Sequence, residues 1–216
     1  MMTHVLFLFL GSLSAHSIED CGTQEPQVGN ERLISQINEE GLKDLWSIDE
    51  AQELSFCISN VFRSSYDHIK TITVLAAEEW MKHANVDFKI VDNMSCEDNP
   101  RDVLFRVVPT SRRVPFKARA FFPSSERRKI QINRKFTDIS EADLKQLMLH
   151  ELGHVLGFRH EHIHPAAGGE CLELGDFEPI TDYDPSSIMH YPNCDQGLNN
   201  YVLSDLDKVG AGTAYP

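Results

Sequence analysis

The sequence predicts an α+β fold: a mixed five-stranded sheet with two helices in an upper half, and an irregular lower half ending in a C-terminal helix. Three observations predict it. Five short runs with the period-two alternation of strands lie between residues 54 and 133. Two longer runs repeat apolar residues at helical spacing, one between the first and second strands and one after the fifth. From Arg159 to Asn200, Gly, Pro, Asp and Asn are dense and no period survives. This order stacks helices on a sheet and leaves the lower half to close a cleft against it.

The chain opens on an apolar run, Val5 to Leu10, extended to Leu13. The run is too short to span a bilayer and suits the h-region of a signal peptide, although the α-amino group is the only fixed positive charge ahead of it. Ala15 and Ser17 are small residues placed for cleavage after Ser17, so residues 1–17 are assigned to a signal peptide and the protein to export. No later segment approaches transmembrane length. Residues 18–45 are polar, acidic and weakly periodic, the character of a pro-segment or an N-terminal arm. The domain proper spans 46–216 and begins at Trp46.

The strands are expected at Leu54–Val61, Val86–Val91, Val103–Val108, Ala118–Phe122 and Lys129–Asn133. The first helix runs from Asp67 to His83, with Ile69, Ile72, Ala76, Trp80 and His83 as its core face. Pro123 ends the fourth strand, which is placed at the sheet edge over the cleft. An edge offers unpaired N–H and C=O groups to an extended peptide; an edge covered by a loop is the alternative. Ser140-Glu141-Ala142-Asp143 resembles a capping box with Asp in place of Glu or Gln. It opens the second helix, which carries Leu144, Leu147, Met148 and Glu151 along one side and runs to Leu156. Ser204-Asp205-Leu206-Asp207 opens the final helix.

The second helix carries the chemistry. Residues 150–160 read His-Glu-Leu-Gly-His-Val-Leu-Gly-Phe-Arg-His. His150 and His154 are four apart and lie on one helix face, the spacing at which two imidazoles grip one Zn²⁺, with Glu151 between them as general base. Gly157 lets the backbone turn sharply, and the turn can bring His160 round as a third ligand. Three protein ligands leave a fourth position open, the arrangement of a catalytic zinc site. Downstream stands Ser187-Ile188-Met189-His190-Tyr191.

The extended His-Glu-x-x-His-x-x-Gly-x-x-His run followed by a methionine turn resembles the signature of the metzincin metallopeptidases, and Ser-Ile-Met-His-Tyr resembles the astacin branch. The resemblance covers Leu54 to the C-terminus and is sharp at residues 150–161 and 187–191. It implies a metzincin-like fold and one Zn²⁺ per chain held by His150, His154 and His160. Glu151 takes a proton from the attacking water, Met189 packs beneath the metal, and Tyr191 steadies the developing oxyanion. Glu161 corresponds to the astacin glutamate that meets the new N-terminus after activation. Beyond it the usual Arg/Asp-rich continuation is replaced by His162-Ile163-His164-Pro165. The chain is therefore astacin-like rather than a close astacin, and His162 and His164 are expected at the surface or behind the ligands. The implied activity is water-mediated hydrolysis of polypeptide by a secreted zinc endopeptidase. A non-cleaving binding or inhibitory module on the same fold is the alternative.

Bulk properties agree. The 216 residues are 41% hydrophobic and 25% charged, ordinary for a soluble globular protein. A net charge of −13 argues against nucleic-acid binding and against adsorption to anionic membranes. Arg112, Arg113, Lys117 and Arg119 form a local basic run, expected as solvated loop and strand edge. A monomer is expected. Of the five cysteines, Cys57 is expected to pair with Cys96 and Cys171 with Cys194, although sequence alone does not fix the pairing. Each loop would contribute about 3–4 kcal/mol on the chain-entropy model. Cys21 is left over. It could block the metal in a latent zymogen, as a thiolate ligand does; Asp20 could do so instead, or Cys21 could be an exposed thiol or an intermolecular disulfide. Asn93-Met94-Ser95 is a glycosylation sequon.

Overall fold

The computed structural model describes residues 19–21, 34–36, 38, 41–92, 96–97, 102–169, 171, 173 and 177–216. The expected signal segment at 1–17 and the sequon at Asn93 lie outside them. Its strands are β1 (Glu19–Cys21), β2 (Ile34–Gln36), β3 (Leu54–Ile58), β4 (Phe88–Ile90), β5 (Phe105–Thr110), β6 (Phe116–Arg119), β7 (Lys129–Asn133) and β8 (Phe177–Pro179). Its helices are α1 (Ile48–Ala51), α2 (Tyr66–Met81), α3 (Glu141–Val155) and α4 (Asp205–Ala214).

The five expected strands are present and form a mixed sheet in the order β6-β7-β5-β3-β4. β4, β3, β5 and β7 run parallel, and β6 turns back antiparallel to β7. A sixth strand was not expected: β1, from the arm, adds parallel to β6 with Glu19 opposite Phe116 and Cys21 opposite Ala118. Among the five expected strands the edge is thus the predicted one, and β1 covers it. Within the 118–122 run, the strand begins two residues earlier and stops at Arg119.

α2 and α3 pack on the sheet and on each other. Ile69, Ile72, Ala76 and Trp80 of α2 are buried as the helical period requires. His83 is not: the helix ends at Met81, and His83 lies partly exposed, 3.7 Å from Glu79 Oε1. Thr73 and Ala77 complete the face instead. Trp80 donates its indole N–H to the Leu149 carbonyl at 3.0 Å, which ties the two helices. Phe56 stacks on Phe105, and Phe105 meets Phe121, so aromatic pairs fill the sheet's inner face. Burying side chains of this size contributes about 1.5–3 kcal/mol each.

Below α3 the arm also contributes. β2 pairs antiparallel with β8, Ile34 opposite Pro179, and Ser35 bridges to Phe158. Gln36 N–H donates to the Gly157 carbonyl at 2.9 Å. Both β2 and β8 fall in stretches where the sequence predicts no regular structure. Neither lies inside a longer alternating run, as the equally short β4 does within Val86–Val91. Both expected disulfides form, Cys57–Cys96 in the upper half and Cys171–Cys194 in the lower. Arg112 and Arg113 are exposed between β5 and β6, as expected of a solvated run.

Candidate metal centre

Ser140 caps α3 by accepting from the Asp143 N–H at 3.2 Å. Its hydroxyl in turn donates to the Asp143 carboxylate at 2.6 Å, so the reciprocal arm of a capping box is replaced by a side-chain bond. The helix is buried along its second half, where His150 is 8% exposed and Glu151 and His154 are fully enclosed. Its C-terminus is held from three directions. Trp46 donates its indole N–H to the Val155 carbonyl at 2.7 Å, and Tyr215 donates its hydroxyl to the Leu156 carbonyl at 2.7 Å. The Gly157 N–H reaches the His154 carbonyl and the Phe158 N–H reaches the Gly153 carbonyl, both at 2.9 Å, a Schellman closure. Gly157 has φ +91°, and a Cβ there would collide with the Asp44 carbonyl. Glycine is required on both counts.

The turn returns His160 to α3. Its Nε2 lies 3.1 Å from Nε2 of His150 and 3.0 Å from Nε2 of His154. The protons cannot be between them. His150 Nδ1 faces the Ile188 carbonyl at 2.8 Å, and His154 Nδ1 faces the Phe158 carbonyl at 2.7 Å. His160 Nδ1 faces Glu173 Oε1 at 2.6 Å. Carbonyl and carboxylate oxygens only accept, so each Nδ1 carries the proton and each Nε2 is a bare lone pair. Three lone pairs converging in a dry site form a donor set for a cation. Tetrahedral ligands on Zn²⁺ lie about 3.3 Å apart, close to the separations here. Burial first, then the neighbouring His160, push His150 down to about 3. Burial pushes His154 and His160 down as well, so all three stay in the neutral form that binds metal.

The methionine turn supports this set from below. Met189 is fully buried, and Gly153 makes room for it: a Cβ on that glycine would overlap the Met189 sulfur. Asp207, in the first turn of α4, organises the turn. It accepts from the Ser187 hydroxyl at 2.6 Å and from the N–H groups of Ile188 and Ser204 at 2.8 Å each. The Tyr191 ring lies against His160, centroids 4.3 Å apart, and against His162 at 4.7 Å. His190 Nδ1–H donates to the Tyr191 carbonyl at 2.9 Å, so its Nε2 accepts from the Tyr183 hydroxyl at 2.9 Å. Glu161 is enclosed; one oxygen accepts the Asp184 N–H at 2.9 Å and the other has no partner among the described residues. Burial pushes this carboxyl up to about 9.

A cleft of 630 Å³ opens beside His150, lined by Lys117 of β6, Phe136, Ile139, Leu147, Ile188 and Tyr191. The structure therefore brings together His150, His154, His160 and Tyr191, all named from the sequence, and buries Glu151 beside His150 on α3. His162 and His164 are buried, not at the surface, and the His162 ring stacks on that of His160. Sequence reasoning missed Glu173, Asp207 and Gly153. Asp207 was legible as a helix cap but not as the anchor of the turn. Glu173 carries no motif; its one signal is a place two residues after a cysteine.

No family model and no curated protein matches the sequence. Solved structures do. One structure of myroilysin superposes with a TM-score of 0.59 at 21% identity, covering 80% of this chain and 96% of that one. A second gives 0.56 at 18% identity, over 90% and 100% of the two chains. High choriolytic enzyme 1, a hatching enzyme zinc-protease from the medaka fish Oryzias latipes, gives 0.50 at 16% identity, over 88% and 98%. The likeness establishes the fold, the metzincin-like α+β architecture that the sequence predicts. With it, the three converging imidazoles define a metzincin-like domain with a candidate metal centre at its cleft floor.

Proposed function

We propose that the protein is a secreted zinc-dependent endopeptidase. One observation carries this reading: three Nε2 lone pairs meet beside an open cleft, with Glu151 on the same helix next to His150. The donor set suits one Zn²⁺ per chain, which when bound acidifies water and polarises a carbonyl oxygen. Glu151 accepts the proton of the attacking water and delivers it to the leaving amine. Tyr191 swings from its place against His160 to donate to the carbonyl oxygen as charge builds there. The polypeptide lies extended along β6, whose backbone groups can pair with it, as they do with β1. A side chain of the substrate enters the cleft beside His150.

The apolar leader at 1–17 and the two disulfides support export. Among the described residues, no helix is long and apolar enough to cross a membrane. Because β1 covers the β6 edge, the full chain is read as a zymogen whose residues 18–45 include the blocking segment. Metal analysis joined to a casein or gelatin cleavage assay tests the function. Stoichiometric zinc, with cleavage that a chelator abolishes and zinc restores, is expected after the arm is removed. Zinc without cleavage of either substrate supports the non-cleaving module instead.

A further inference from the structure

His150 and His154 point their Nδ1–H groups at neutral backbone carbonyls, whereas His160 points its own at a carboxylate, Glu173. A charged acceptor does more than a carbonyl. It fixes the tautomer and the ring plane, and it raises the basicity of the distal nitrogen. The 2.6 Å separation of His160 Nδ1 and Glu173 Oε1 is a short charge-assisted hydrogen bond. Two ligands of one metal would stand about 3.3 Å apart, so this is not a second cation site. Glu173 Oε1 also lies 3.4 Å from His162 Nε2, and its Oε2 is 3.9 Å from Arg159 Nη2. One carboxylate thus gathers the three basic side chains that follow Gly157 and Phe158.

Glu173 belongs to no helix or strand. Two residues away stands the Cys171–Cys194 disulfide. Cys194 donates its N–H to the Tyr191 carbonyl at 3.0 Å, so the bridge ties Glu173 to the segment that carries Met189 and Tyr191.

We propose that Glu173 is the positioning residue for His160, and that the Cys171–Cys194 disulfide holds it there. The inference rests on the zinc reading of the site. The test measures zinc affinity by chelator competition and the visible spectrum of the Co²⁺-substituted protein. It compares the wild type with Glu173→Gln, Glu173→Asp, Glu173→Ala and the Cys171→Ala/Cys194→Ala pair. Glu173→Ala and the cysteine pair should bind zinc roughly 10–100-fold more weakly. Glu173→Gln keeps the shape and loses the charge; it should be weakened about tenfold with an altered cobalt spectrum, and Glu173→Asp should recover part of the affinity. Thermal midpoints of the metal-free proteins control for folding, and that of Glu173→Gln should match the wild type. Wild-type zinc affinity and cobalt spectrum in Glu173→Gln would overturn the proposal even if Glu173→Ala were unstable. A wild-type chain that bound no zinc would overturn this and the peptidase reading together.

Discussion

His150, Glu151, His154 and His160 sit in a site so enclosed that none is more than 8% exposed. Burial on that scale is costly for charged groups, and the protein meets it by giving each imidazole an acceptor for its Nδ1 proton. Glu151 is adjacent to a proposed ligand without being one of the three, so its proposed chemistry can be separated from metal binding. Glu151→Gln should hold zinc as the wild type does and lower kcat/KM by about 10³-fold; residual activity near the wild-type value would reject it as the base. The Tyr191 ring leans on His160, centroids 4.3 Å apart and tilted by 44°. Tyr191→Phe should lower kcat by about 10²-fold with zinc content unchanged and KM little altered. An unaltered kcat would return the tyrosine to packing. These side chains were legible because helix periodicity ties His150 to His154 and a glycine marks the turn. Glu173 was not, because its position depends on a disulfide and an irregular loop, and neither leaves a period in the sequence.

Among the elements, α4 does more than close the fold. Its Asp207 accepts from one hydroxyl and two backbone N–H groups, and so hangs the methionine turn on the helix cap. Asp207→Ala would leave those donors buried without an acceptor. Denaturant titration of the metal-loaded protein should show a loss of roughly 3 kcal/mol, with weaker activity because Ile188 carries the carbonyl that orients His150. Stability within about 0.5 kcal/mol of the wild type would mean that other groups hold the turn. Strands β3 to β7, with α2 and α3, were legible because each lies in a run of sequence long enough for alternation, helical spacing or a cap to register; β4 has three residues, but the alternation spans Val86–Val91. β2 and β8 were not. Neither lies in such a run, and they meet across 143 positions of sequence, so only the folded chain shows that they belong together.

For the whole molecule, the proposed latency rests on the segment that precedes Trp46. β1 lies on the β6 edge, where an extended substrate is expected to pair, while β2 is built into the lower half. A chain starting at Asn30 loses the first and keeps the second. It should cleave casein much faster than a chain starting at Ile18, and equal rates would sink the blocking role. Cys21→Ser in the longer chain then separates thiol from strand. Continued latency assigns the block to backbone pairing, and activity in that variant assigns it to the thiolate.

The pairing of β2 with β8 also bears on the order of assembly. Gln36, in β2, donates to the Gly157 carbonyl at the turn that delivers His160, and the same strand needs Phe177–Pro179 as its partner. As the polypeptide is synthesised, the N-terminal half of that contact emerges long before its other half. Closing a loop of this length is entropically costly and slow compared with local pairing. The upper sheet and α2 can form early from nearer neighbours. The three-imidazole centre is completed only when nearly the whole chain is present, so a truncated or half-made chain cannot gather all of the contacts that support its third histidine.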